Sequence, residues 1–131
     1  MWSLKVGKRR CKAIVDTSST AGIVGHPRRA IYTASKHGVI GLTKVAALQY
    51  AKTGIRINAV CPGPIRTGLK DWSRFGPEAE AIHEARAIAR VPVGRIGGPE
   101  EVAEASAWLC SDAASYVTGH SLVVDGGEVA Q

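Results

Sequence analysis

Aromatic side chains are scarce in this chain, which has one Phe, three Trp and three Tyr among 131 residues. Its packing must come from Ala, Val, Ile and Leu, which suits helices laid close on a sheet better than an aromatic-rich sandwich. Cysteine is sparse too. Cys11, Cys61 and Cys110 stand far apart and form no C-x-x-C pair, so neither a disulfide framework nor a cysteine zinc site is indicated. His26, His37, His83 and His120 lack metal-ligand spacing, and no metal is expected. No apolar run approaches the ~18 residues of a membrane span. The basic start leads into Ala13-Ile14-Val15 and then polar residues, unlike a secretory signal. A soluble, cytoplasmic protein without membrane association is expected. One further absence concerns nucleotides: the 15 glycines include no G-x-x-x-G-x-G and no G-x-G-x-x-G. No glycine-rich turn for a dinucleotide pyrophosphate can therefore be read from these residues.

What is present fits one globular domain, with 45% apolar and 21% charged residues. The net charge of +6 would suit nucleic acid if it were spread over a face, but Lys5, Lys8, Arg9, Arg10 and Lys12 crowd the first 12 residues. Residues 13–131 hold 12 basic and 11 acidic residues, close to balance. No nucleic-acid partner is expected, and residues 1–12 read as a basic, poorly ordered segment before a domain spanning 13–131.

Ala13-Ile14-Val15, closed by Asp16-Thr17-Ser18-Ser19, reads as a buried parallel strand reaching its carboxyl end at Ser19. Gly22, Gly25 and Pro27 punctuate a loop, and a helix is predicted over 30–52, with Ala34, Gly38, Leu42, Val45 and Ala46 on one stripe and Gly54 just beyond its end. Ile55 to Cys61 is a second strand, stopped by Pro62-Gly63-Pro64. Trp72 and Phe75 lie in an expected flap before a helix over 78–90. Gly98-Pro99-Glu100-Glu101 opens a helix running to about Ser111, whose buried stripe is Val102, Ala105 and Leu109. Residues 120–125 form a third strand, ended by Gly126-Gly127. Strands alternating with helices predict an α/β fold with right-handed crossovers and a parallel sheet of about three strands, the first with an open edge.

Two side chains four apart on a helix share a face, so Tyr32 and Lys36 can stand side by side. A cation beside a phenol favours its ionised form and equips tyrosine to give and take a proton. Ser19, at the strand end, could donate a hydrogen bond to a carbonyl or alkoxide oxygen. A bare tyrosine and lysine at this spacing are usually surface packing; the surrounding residues give the pair its weight.

Asp16 to Gly22 followed by Tyr32-Thr33-Ala34-Ser35-Lys36 resembles the active-site region of the short-chain dehydrogenases/reductases, with the thirteen-residue step from Ser19 to Tyr32 found in that family. Asn58 to Thr67 resembles the family's cofactor loop, and Thr118-Gly119 through Asp125-Gly126-Gly127 its last strand. The resemblance covers about residues 13–131 and implies a partial Rossmann-like, doubly wound parallel sheet, the carboxyl-terminal half of the family's domain. It further implies that Tyr32 is the proton donor or acceptor, that Lys36 supports it and holds the nicotinamide ribose, and that Ser19 orients the substrate oxygen. Pro62, Gly63, Ile65 and Thr67 would border the nicotinamide of NAD or NADP, and the substrate would be a secondary alcohol or ketone. Asp16 stands where many members have asparagine.

The family's glycine-rich turn and its catalytic asparagine find no counterpart in these residues. A truncated form with weak or no activity of its own is therefore expected. The alternative is a noncatalytic assembly module that associates, as a homo-oligomer or otherwise, through the open sheet edge or helix 30–52.

Overall fold

The computed structural model describes residues 12–67 and 75–130. Its elements run β1 (Ala13–Thr17), α1 (Ala30–Tyr50), β2 (Arg56–Pro62), α2 (Pro77–Ile88), α3 (Pro99–Cys110) and β3 (Ser121–Val124). The three strands lie in the order β1-β2-β3, and both pairings are parallel. The register sets Thr17 against Val60 and Pro62 against Val124. All three strands therefore end at one sheet edge, where an open α/β sheet offers its crevice. This is the three-stranded parallel sheet the alternation of elements predicts, and the partial Rossmann-like architecture the resemblance implies. Among the described residues β1 pairs only with β2, and Ile14 on it is exposed.

β2 is the central strand, and its run Ile57-Asn58-Ala59-Val60-Cys61 is buried throughout, as a strand covered on both faces requires. Asn58 is the polar exception, and both ends of its amide are used. Its Nδ2 donates to the Val117 carbonyl at 3.0 Å, and its Oδ1 accepts from the His120 amide at 3.0 Å. These bonds fasten the turn that feeds β3 and remove the cost of a buried unpaired amide. Arg56, two residues earlier, donates to the carbonyls of Leu109 at 2.7 Å and Ser111 at 2.9 Å, closing the end of α3. Leu109 beneath it is fully buried.

Helix α1 ends close to expectation, with a 3₁₀ turn over Ala51–Thr53 and Gly54 in the left-handed region at φ 75°. Its facing differs from the predicted stripe. The residues turned to the sheet are Ile40, Thr43 and Ala47, whereas Ala34, Gly38, Leu42 and Val45 are exposed. The reason is polar. Thr43 Oγ1 donates to Asp16 Oδ2 on β1, 2.7 Å away, and lies 2.9 Å from the Val39 carbonyl, so a hydroxyl that a hydropathy pattern assigns to solvent is satisfied inside.

Trp72, expected in the flap, lies outside the described residues, as does the basic segment 1–11; Phe75 is exposed. No helix among the described residues is long and apolar enough to cross a membrane.

Helix α3 opens at Pro99, and Glu101 organises the turn before it by accepting from the Gly98 amide at 2.8 Å and from both Arg95 terminal nitrogens at 2.7 and 2.8 Å. The Arg95 fork, aided by the Gly98 amide, holds the Glu101 carboxyl down at about 2, against an ordinary 4.5. A depressed carboxyl stabilises the fold fully above its unfolded value, and that contribution fades as pH falls from 4.5 toward 2. Glu101→Gln is thus expected to unfold at lower temperature than the parent at pH 7, with the gap closing in that acid window. Thermal melts from pH 7 to 2.5 check this; a gap that stays constant with pH contradicts it.

Candidate functional site

β1 releases the chain at Thr17, and the Ser18 amide still bonds the Val60 carbonyl at 2.8 Å, so the strand direction carries on into Ser19. Ser19 then caps a 3₁₀ turn over Thr20–Gly22, its Oγ accepting from the Ala21 amide at 3.2 Å. That bond uses the hydroxyl as acceptor and leaves its proton available to a second partner.

Tyr32 and Lys36 lie in the first two turns of α1, and the spacing brings them together as expected. The Lys36 ammonium sits 5.7 Å from the centre of the Tyr32 ring, within cation–π range. It also donates to the Thr17 carbonyl at 3.0 Å. The Lys36 backbone is held as well, because Ser18 Oγ donates to its carbonyl at 3.0 Å. Ser18 and Thr17 therefore tie the serine loop to the tyrosine helix, and the lysine is fixed at both its backbone and its head. Tyr32 is partly open to solvent, at 42% exposure.

The adjacent strand end supplies the second wall. After Pro62, Gly63 packs so closely on Asp125 that a Cβ there would lie 2.7 Å from the aspartate Cβ and 2.9 Å from its Cα, which leaves room only for glycine. Asp125 in turn accepts from the amides of Gly127 and Val129, both at 2.8 Å. Ile65 forms a parallel bridge with Gly97: the Gly97 amide donates to the Pro64 carbonyl at 3.0 Å and the Arg66 amide to the Gly97 carbonyl at 2.9 Å. In such a bridge the bonds engage the neighbours of Ile65, so its own N–H and C=O point the other way. Neither has a hydrogen-bond partner among the described residues. One donor and one acceptor side by side complement a primary carboxamide, so these residues fit a nicotinamide ring. Thr67 follows two residues later and is exposed. A hollow of about 140 Å³ lies under this wall, lined by Ile65, Val91, Arg95 and Val124 among others, with room for a few atoms and not for a dinucleotide.

Several contributors have no signature in the sequence. Cys61 is fully buried at the end of β2, and burial pushes its thiol up, offset in part by Ser18, the Ser19 backbone and Lys36. It is a neutral filler under the serine loop. Thr20 donates to Glu128 at 3.1 Å, and Glu128, nearly buried, also accepts from Arg90 Nε at 3.2 Å, so the tail after β3 steadies the residue next to Ser19. Among the described residues no three His, Cys, Asp or Glu side chains gather as a metal site.

The family model described as "Enoyl-(Acyl carrier protein) reductase" matches residues 4–128. Over 117 residues the chain is 50% identical to the A-factor type gamma-butyrolactone 1'-reductase (1S-forming) of Streptomyces virginiae, covering 88% of this chain and 44% of that protein. Among solved structures it resembles ElxO with NADP bound, at 37% identity and a TM-score of 0.80, covering 91% of this chain and 47% of that one. It also resembles 4-hydroxyisoleucine dehydrogenase complexed with NADH, at 34% identity and a TM-score of 0.79, with coverage of 91% and 47%. The chain thus spans about half the length of the relatives it matches.

Proposed function

Because the chain belongs to the short-chain dehydrogenase/reductase family of NAD(P)-dependent oxidoreductases, we propose that it carries the proton-transfer and nicotinamide side of a site that interconverts secondary alcohols and ketones. The observation that supports this most is Lys36, held by Thr17 at 3.0 Å and poised beside the Tyr32 ring. In the reducing direction the Tyr32 hydroxyl gives its proton to the substrate oxygen as the carbonyl becomes an alcohol, and in the oxidising direction it takes that proton back. Lys36 supports the tyrosine electrostatically and offers donors to the ribose hydroxyls. Ser19 orients the substrate oxygen by donating its free proton. Pro62, Gly63 and Thr67 would border the nicotinamide, and the Ile65 backbone would serve its carboxamide. Bound NAD or NADP supplies or accepts the hydride.

With no glycine-rich turn in these 131 residues to hold a pyrophosphate, weak cofactor binding and slow turnover are expected of the chain alone. Titration with NADH and NADPH, followed by nicotinamide fluorescence and then by a panel of ketones, tests the reading. A folded sample that binds neither cofactor speaks against it.

One observation favours self-association as well. Ile31, Leu42, Val45 and Leu48 are 61–89% exposed on the outer face of α1, more apolar surface than a lone helix face usually shows to water. Light scattering on the same sample distinguishes a homo-oligomer from a monodisperse monomer, and the latter rules assembly out.

A further inference from the structure

We infer that Arg28 and Arg29 form an anchor for a carboxylate on the substrate, an inference that rests on the oxidoreductase reading and names the substrate class of that site. The charge distribution is the starting point. From Thr17 to Lys70 the sequence holds eight Lys and Arg residues and not one Asp or Glu, whereas from Asp71 onward it holds ten acidic and four basic residues. The serine loop, α1 and β2 thus make up a basic half, and the acids sit with α2, α3 and the tail.

Three of the arginines near those acids are engaged: Arg66 pairs with Glu84, Arg90 with Glu128 and Arg95 with Glu101. Arg56 is taken up by the carbonyls that close α3. Arg28 and Arg29 are exposed and make no side-chain hydrogen bond or ion pair among the described residues. Two adjacent guanidinium groups repel each other, and with no acid for ten residues on either side in sequence their charge has no local compensation.

Their position turns that surplus toward the chemistry. The loop that carries them follows Ser19 and leads into α1, whose third residue is Tyr32; these are the two side chains proposed to meet the substrate oxygen, so it borders the mouth of the site. The Arg29 carbonyl accepts from the Thr33 amide at 2.8 Å, which fixes Arg29 less than one helical turn from Tyr32. Arg28 has φ 64°, a left-handed conformation disfavoured for a residue with a Cβ and natural for glycine. Glycine would suit the turn better, and arginine is there instead; a charged side chain kept at conformational cost beside a site points to use. The guanidinium fork matches a carboxylate in a bidentate, charge-assisted pair. One turn of helix is about 5.4 Å, so the carboxylate should stand a few carbons from the reacting carbonyl, as in a medium-chain oxo acid.

The test compares 5-oxohexanoate with the neutral 2-hexanone, titrated into the full chain and read by ligand-observed NMR without cofactor, on the parent and on Arg28→Gly/Arg29→Gln. The oxo acid is expected to bind at least tenfold tighter than the ketone at low salt, with the advantage shrinking as salt rises and vanishing in the double variant. Arg28→Gly alone should melt no lower than the parent, since it relieves the left-handed strain, while still losing affinity for the oxo acid; a merely structural residue would not separate the two. Equal affinities, undetectable binding of both ligands, or a preference that survives the double variant overturns the anchor. The two readings fail differently. An oxo acid that binds through the arginines in a chain whose NADPH affinity is indifferent to Lys36→Ala removes the nicotinamide site and leaves the anchor. Reduction of 2-hexanone by added NADPH as readily as of 5-oxohexanoate does the reverse.

Discussion

Lys36→Ala is expected to weaken NAD(P)H binding to this chain by at least about tenfold, while Tyr32→Phe leaves binding within about twofold and removes turnover. The first figure follows from the ammonium's proposed share, one or two charge-assisted hydrogen bonds to ribose at about 1.5–3 kcal/mol each. The second follows from general acid–base catalysis, for which the loss of the proton donor costs about 10²–10⁴ in rate. Neither change should unfold the protein. Alanine is the best helix former, and the Ser18 bond that fixes this turn of α1 goes to the Lys36 backbone carbonyl, which the substitution keeps. Tyr32 is 42% exposed, and phenylalanine retains its ring. Calorimetric titration beside circular dichroism checks both. Cofactor binding that is indifferent to Lys36→Ala would show that whatever the chain binds, it does not hold it by the lysine, and the proposed site would fall with that result. Conversely, equal loss of binding in both variants would assign the phenol to binding and not to proton transfer.

The legible part of this molecule was the part encoded locally. Tyr32 and Lys36 meet because helical geometry alone puts residues four apart on one face, and the thirteen-residue step back to Ser19 sets the loop that β1 and α1 span. Proline and glycine marked the strand exits at Pro62 and Gly126 because those residues act on their own backbone. The illegible part depends on contacts across the sheet. Which stripe of α1 faces inward is not legible locally, because apolar Leu42 and Val45 look more buriable than Thr43 until the Asp16 carboxylate on β1 supplies Thr43 with a partner at 2.7 Å. The lysine's grip on the Thr17 carbonyl was equally hidden, since a backbone acceptor has no residue type. Glu128 reaches Thr20 across 108 positions of sequence, a separation at which no periodicity operates. The basic surplus of residues 17–70 could have been counted from sequence, but the charges in 13–131 nearly cancel as a whole, and only the fold shows that the two signs lie on different elements.

Gly22→Ala, a change of one methyl group, is expected to cost roughly 1–3 kcal/mol of stability, the range for overpacking a filled interior, and to loosen the site as well. Gly22 is buried in the turn after Ser19, and a Cβ there would lie 2.5 Å from Ser18 Oγ, 2.8 Å from the Lys36 carbonyl oxygen and 2.9 Å from Ile40 Cδ1. The first two are the donor and acceptor of the bond that joins the serine loop to α1, so the methyl group cannot be accommodated without separating them. Its effect should therefore reach beyond stability. Lys36 would lose the backbone restraint that keeps its ammonium near Thr17 and Tyr32, and cofactor affinity should fall severalfold under conditions where the variant is still folded. Gly25, three residues on, is the control, because a Cβ there meets nothing within 4 Å. Gly25→Ala should match the parent in urea midpoint and in cofactor titration. If Gly22→Ala behaves like Gly25→Ala, the loop is not clamped on the helix, and the positioning of Lys36 must be sought elsewhere. If it loses stability but keeps full affinity, the Ser18 bond serves the fold alone. Loss of both, with the loss of affinity persisting at temperatures well below the melt, is the outcome that ties the packing of one glycine to the placement of Lys36.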